Sequence, residues 1–190
     1  MRTKEQLKAE REAKRRPNAA NRGKPFEATL DALHRGYLAR GEAFVIKTSA
    51  PVRVIRHLAG GRFEGFFEAT GAPDYFAIAS GTAIVFDAKH HADRLPFDAI
   101  PKHQAEALDA AERAGAVAGI VADLPDMGGG WWLPWSALGP RWWAWRTTTG
   151  RAAPGTASLG LMNLRAIGVR LEGHDWLDGF RADRAARMAA

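Results

Sequence analysis

Apolar side chains recur at Phe26, Leu30, Leu33 and Tyr37, the spacing of one buried helical stripe, and predict a first helix over residues 25–40 that Gly41 ends. A short run of β-formers follows at residues 43–47. Residues 51–67 mix β-formers with Arg53, Arg56, His57 and Arg62 around Gly60-Gly61, which predicts a protruding hairpin with a basic, aromatic surface. Two strands are expected at residues 75–79 and 82–89, joined at Ser80-Gly81. A helix over 98–114 turns Ala105, Leu108 and Ala111 towards the core. The apolar run 116–122 has strand length and suits a sheet interior. Residues 131–135 read as a further strand before a Trp-rich helical stretch, 150–158 as a loop, 167–171 as a strand and 175–188 as a terminal helix. The sum is α/β with a mixed sheet and no internal repeat.

Length confines this pattern to one domain, since 190 residues are too few for two comfortable ones. No apolar run approaches the roughly 18 residues of a membrane span. The chain is charged from Arg2 onward, so neither a membrane partner nor a secretory signal is expected. Zero cysteines exclude disulfides, thiolate zinc sites and thiol catalysis, and a cytoplasmic protein fits best.

Charge changes the picture once it is located. Residues 1–24 hold nine Lys/Arg against three Glu, a net of +6, and the remaining residues hold 18 of each sign. The whole excess lies in one N-terminal stretch, with residues 1–20 expected as a flexible basic arm and 21–190 as the folded domain. Such a block docks on phosphates by displacing counterions, or stays a solvated tail.

The candidate chemistry lies in APDYFAIASGTAIVFDAKHH. If Ser80-Gly81 is a two-residue hairpin loop, Ala79 faces Thr82 and Asp74 lies opposite Asp87, with Cβ atoms roughly 5 Å apart. Alternation puts Val85, Asp87 and Lys89 on one face and Ile84, Phe86 and Ala88 on the other. Facing carboxylates repel, and a divalent cation between them reverses that sign; oxygen ligands suit magnesium. Lys89 is then placed to hold the scissile phosphate or the attacking water. A polar sheet edge with an incidental Asp87–Lys89 ion pair is the plainer alternative.

An acidic residue followed on the next strand by D/E-x-K resembles the core of the restriction-endonuclease-like nucleases. More narrowly, the chain resembles RecU-type Holliday junction resolvases: NRGKPFE at 21–27, PDY at 73–75, FDAK at 86–89 and LPFDAIPKHQAEAL at 95–108 follow that family's motifs in order, over roughly residues 21–122. Two positions depart from it. Asp87 stands where the family has Glu, and Pro73 where it has Thr, which puts metal geometry and rate in question rather than charge.

The resemblance implies a restriction-endonuclease-like fold, with a mixed central sheet flanked by helices and a projecting hairpin. It implies a homodimer that nicks opposed strands of a four-way DNA junction by magnesium-dependent hydrolysis, with Mn2+ as a substitute, acting in the cytoplasm at the nucleoid. Asp74 and Asp87 would be metal carboxylates, the Ala88 backbone carbonyl a third ligand and Lys89 the catalytic cation. Glu27 would orient metal-bound water or help a second ion, and Gln104 would position the nucleophile. Read without the resemblance, Glu27 is a helix N-terminal acid and Gln104 a surface amide. DNA contacts are expected from Arg11, Lys14, Arg15, Arg16, Arg22 and Lys24 in the basic N-terminal stretch, and from Arg53, Arg56, Arg62 and Phe63 in the hairpin. Two other readings stay open, a duplex or flap nuclease of the same core and a catalytically silent junction-binding protein.

Six of the seven tryptophans fall between Trp131 and Trp145. They read as core or dimer interface in preference to a base-stacking platform, because apolar residues surround them. His91 shares the Asp87 face and is a candidate phosphate contact. Gly128–Gly130 lacks the Lys-Ser/Thr of a phosphate-binding loop.

Overall fold

The computed structural model describes residues 23–67, 72–148 and 157–189. Its centre is a six-stranded sheet in the order β1 (Ala43–Lys47), β4 (Tyr75–Ala79), β5 (Thr82–His90), β7 (Val117–Leu124), β8 (Gly129–Pro134) and β10 (Val169–Arg170). β5 and β7 run parallel and every other neighbouring pair is antiparallel, so the sheet is mixed. Two small ladders lie outside it, β2 (Val52–His57) with β3 (Phe63–Phe67) and β6 (Leu95–Pro96) with β9 (Ser158–Leu159).

Helices cover both faces because the strand pattern alternates. Ile84 and Phe86 face a core built with α1 (Lys24–Ala39) and α5 (Trp176–Ala189), where Phe26, Leu30, Tyr37, Trp176 and Phe180 are buried. Val85 faces the opposite core under α2 (Lys102–Arg113), α3 (Trp135–Thr147) and α4 (Leu161–Ile167). Each large apolar side chain taken from water there contributes about 1.5–3 kcal/mol. β7 is buried on both faces, as its unbroken apolar run requires. Gly119 on β7 is obligatory, since a Cβ there would stand 2.6 Å from the Trp132 ring.

The tryptophans are core. Trp132, Trp135, Trp142 and Trp176 are fully buried. Indole N–H groups of the cluster bond within the fold: Trp135 and Trp143 donate to the two Asp109 oxygens at 2.6 and 2.7 Å, and Trp142 donates to the Phe97 carbonyl at 2.9 Å.

Three boundaries differ from the sequence-based expectation. The helix expected from residue 98 starts at Lys102, because Pro101 forces Ile100 into an extended conformation and residues 97–99 form only a 3-10 turn. The strand expected at 131–135 occupies Gly129–Pro134, and Trp135 opens α3 instead. The strand expected at 167–171 is two residues long, because Leu161, Leu164 and Ile167 at three-residue spacing form α4 first.

The hairpin is as expected: β2 and β3 pair around a turn at residues 58–62, and every side chain from Val52 to Phe66 is exposed. Its ladder shifts register between Val54 and Arg56, a bulge that bends the hairpin. Phe63 sits opposite His57 at the tip end, and Phe66 pairs with Arg53.

Candidate active site

Ser80 adopts φ +49 and Gly81 φ +72, the left-handed pair that a two-residue hairpin loop needs. The resulting register joins Ala79 to Thr82 and Tyr75 to Phe86, so the next position brings Asp74 opposite Asp87. The Asp74 amide donates to Asp87 Oδ1 at 3.2 Å, and the Ala88 amide donates to Asp74 Oδ2 at 3.0 Å. Parallel pairing of β5 with β7 buries the strand's middle and leaves Asp87 with no exposed surface. Asp87 Oδ2 takes no aligned hydrogen bond, but the Lys89 ammonium lies 2.5 Å away.

α2 packs on the same face and brings in Gln104. Its Nε2 donates to Asp87 Oδ1 at 3.0 Å, and its Oε1 accepts from Lys89 Nζ at 2.9 Å. Lysine only donates and a carboxylate only accepts, so the amide has one orientation that serves both. Four of the five residues expected to act together, Asp74, Asp87, Lys89 and Gln104, therefore form one bonded cluster.

Burial is the main force on Asp87 and pushes its carboxyl up to about 7; Asp74 adds to the rise, and Lys89 opposes it. The arrangement fits a divalent cation: two facing carboxylates, one buried with an oxygen turned to a cation. Among the described residues no three His, Asp or Glu side chains converge as a metal cage. Two carboxylates with a backbone carbonyl and solvent are a donor set that suits magnesium, which retains several waters.

Glu27 stands apart. It rises from the first turn of α1 and pairs with Lys47 Nζ at 2.7 Å, an exposed ion pair that contributes about 0–1 kcal/mol. Lys47 is a cation that sequence reasoning missed. It ends β1 opposite Tyr75, one row from Asp74, and Asp74 contributes to holding its ammonium pKa above the usual lysine range, after the larger effect of Glu27. Its place beside the site becomes visible only once β1 is paired with β4. Thr48 follows it. Its amide donates to the Asp74 carbonyl at 2.8 Å and its hydroxyl to the Pro73 carbonyl, so β1 braces the segment where Pro73 replaces threonine.

A cleft of about 400 Å3 opens beside Lys89 and is bordered by Gly23, His90, His91 and Ala99. His91 thus reaches the site's mouth, and so does the root of the basic stretch, with Lys24 exposed at the first position of α1. Arg11, Lys14, Arg15, Arg16 and Arg22 lie outside the described residues. In the hairpin, Arg56 pairs with Glu64 at 2.6 Å and Arg62 Nε donates to the Ala59 carbonyl at 3.4 Å. Arg53 and Phe63 are exposed.

A mixed sheet with helices on both faces, carrying opposed acids and a lysine on adjacent strands, defines the restriction-endonuclease-like class. Within it the chain belongs to the RecU family: residues 21–154 match the family model of Recombination protein U. The Holliday junction resolvase RecU of Streptococcus equi subsp. zooepidemicus (strain MGCS10565) is 28% identical over 131 residues, 65% of each chain. That of Bacillus pumilus (strain SAFR-032) is 27% identical over 126 residues, 63% of this chain and 60% of that one. The matches therefore span less than two thirds of these relatives. A solved Holliday junction resolvase from Archaeoglobus fulgidus superposes with a TM-score of 0.44 at 14% identity, over 76% of this chain and 94% of that one, too distant a likeness to argue from.

Proposed function

We propose that the protein is a magnesium-dependent Holliday junction resolvase, a homodimer that nicks two opposed strands of a four-way DNA junction. The observation that carries this reading is the bonded cluster of Asp74, Asp87, Lys89 and Gln104 beside an open cleft. Family membership supplies the substrate class: the family model matches residues 21–154, and the relatives matched in sequence are named as Holliday junction resolvases.

Asp74, Asp87 and the Ala88 carbonyl would hold the magnesium, with Mn2+ a substitute, and the ion when bound supplies Lewis-acid stabilisation of developing phosphate charge. Lys89 binds a non-bridging oxygen of the scissile phosphate with its ammonium. Gln104 orients Lys89 and Asp87, since both ends of its amide are engaged with them. Glu27, tied to Lys47, is a candidate for orienting water at the margin. Lys24, His91 and the hairpin arginines provide phosphate contacts.

Support for a homodimer comes from the β1–β4 edge of the sheet. Phe44, Ile46 and Ile78 are each about half exposed there, and Phe44 pairs with Ile78 on one face. A contiguous apolar face at a sheet edge suits a second copy of this chain. Among the described residues no helix is long and apolar enough to cross a membrane; the proposed action on cytoplasmic, nucleoid DNA follows from the junction substrate.

Incubating the full chain in magnesium with a synthetic four-way junction, and separately with linear duplex and flap DNA, tests the reading. Symmetric nicks confined to the junction support it. Equal cleavage of duplex or flap makes it a general nuclease of this core, and tight junction binding without nicks makes it a silent binder.

A further inference from the structure

The row of the sheet that carries Lys89 continues to an arginine. Lys89 pairs with Ala122, Ala122 with Trp131, and Trp131 with Arg170. Directly paired residues share a face, so Lys89 on β5 and Arg170 on β10 project on the same side, three strands apart. At about 4.8 Å per strand the separation is about 14 Å. Ala122 and Trp131 between them are buried.

Arg170 is held in place. Its Nε donates to the Gly128 carbonyl at 3.1 Å, in a turn where Gly128 adopts φ +91. A Cβ on Gly128 would stand 3.3 Å from the Arg170 guanidinium carbon, so glycine provides both the backbone angle and the room. The same guanidinium borders a cleft of about 480 Å3, shared with Arg165 from the last turn of α4 and with Met127, Trp131 and Leu161. Asp126 also borders it, and two guanidinium groups against one carboxylate leave the cleft net positive. The Asp126 amide donates to the Ala92 carbonyl at 3.0 Å, and Ala92 lines the cleft beside Lys89. The two clefts are therefore neighbours along one end of the sheet. Both arginines lie beyond residue 154, outside the stretch matched to the family.

We propose that Arg165 and Arg170 form a second phosphate site, which holds the DNA backbone about 14 Å, three strands of sheet, from the scissile phosphate at Lys89. Guanidinium groups suit the task because their planar donors match phosphate oxygens in pairs. The direction is consistent with the dimer: β10 is the sheet edge opposite β1, so this arm of DNA runs outward from the proposed interface. The inference rests on the proposed resolvase reading and adds to it the course of the duplex arm.

The test uses the full chain, its Arg165→Gln and Arg170→Gln variants and the double variant. Their binding is measured on a four-way junction carrying single neutral methylphosphonates along one strand. For the wild type, neutralising one phosphate within a few nucleotides of the nick should weaken binding several-fold, and the double variant should be indifferent to it. The double variant should also flatten the log affinity against log salt slope by about 1, one phosphate contact. Nicking of the saturated complex should stay within about twofold, since the cluster at Lys89 is untouched. Arg165 is exposed, so Arg165→Gln tests the site even if losing the Arg170–Gly128 bond disturbs the turn. Wild-type affinity in both single variants, or an interference pattern that the double variant retains, overturns the site. Failure of the wild type to nick junctions in magnesium would instead sink the nuclease reading, while the interference pattern still decides on the arginines.

Discussion

The Asp74 amide donates to the carboxylate of Asp87 at 3.2 Å, while the Asp74 carboxylate accepts from the Ala88 amide at 3.0 Å, so the two acids are held face to face by the backbone. Holding Asp87 there without surface costs stability, and its carboxyl is raised to about 7 chiefly by that burial. A bound divalent ion would offset the cost. Asp74→Asn and Asp87→Asn should each abolish junction nicking, while junction affinity is kept or rises because a negative charge near phosphate is lost. Wild-type nicking by Asp74→Asn in magnesium would sink the assignment.

Lys89 is the cation of the cluster and is only about 15% exposed. Removing a buried electrostatic stabiliser typically costs about 10² or more in rate. Lys89→Ala should lose turnover of the bound complex by that factor. Gln104→Ala should lower the same rate by a smaller factor, because it leaves the ammonium in place but frees it to move. A Lys89→Ala protein that only binds more weakly, with turnover intact, would reduce Lys89 to a docking residue.

Most of this site was legible in the sequence because a two-residue loop fixes strand register, and register decides which side chains meet. Ala79 opposite Thr82 was enough to place Asp74 against Asp87, and alternation placed Lys89 beside it. Gln104 was not legible from spacing alone, since its position depends on how α2 docks on the sheet; the family motif supplied it. Lys47 was missed because β1 pairs with β4 through a connection of 27 residues, and nothing local specifies that pairing. The α4 helix escaped for a related reason. It is seven residues long, stabilised by packing Leu164 into the core rather than by its own propensity.

The apolar edge gives a prediction about assembly. Phe44 and Ile78 pair on the exposed face of β1 and β4, so a charge at Phe44 would lie in the middle of any interface there. Phe44→Asp should shift the protein from dimer to monomer in light scattering and abolish paired nicking. A Phe44→Asp protein that remains dimeric would place the interface elsewhere.

His34 makes stability depend on pH. Burial, with Lys47 adding to it against the pull of Asp31, lowers its pKa from 6.5 to about 4. Its Nε2 accepts from the Trp176 indole N–H at 3.0 Å, a bond only the unprotonated nitrogen can accept. The unfolded chain binds this proton below about pH 6.5 and the folded chain only below about pH 4. Stability from this group is therefore present above 6.5 and declines as pH falls from 6.5 towards 4. Asp87 acts in the opposite sense: its raised pKa gives metal-free protein a contribution that is lost as pH rises through about 7. Comparing melting of the metal-free wild type and His34→Gln at pH 7.5 and pH 5 isolates the histidine. The variant should lose less Tm on acidification, and an identical loss would mean that His34 is already protonated in the folded protein.

Junction recognition should divide between the basic arm and the hairpin. Residues 1–24 carry the entire net charge, so this stretch supplies sequence-independent affinity that falls with salt. The hairpin is different in kind. Its cations are spaced along an exposed, bulged ladder, and part of their charge is offset internally, since Arg56 pairs with Glu64. What it offers is shape, with Phe63 beside the tip and about half exposed. A narrow projection of that kind fits the open centre of a four-way junction, which a linear duplex lacks. Deleting residues 1–16 should therefore weaken junction and duplex binding together and flatten the salt slope. Replacing residues 56–62 by a short glycine turn should cost junction affinity and leave duplex affinity nearly unchanged, with a slope little altered because Arg56 was already paired with Glu64. Electrophoretic binding titrations on both DNAs at several salt concentrations separate the two contributions. If both truncations lowered the two affinities in equal proportion, the hairpin would be one more phosphate contact, and junction selectivity would have to arise in the cleft between protomers.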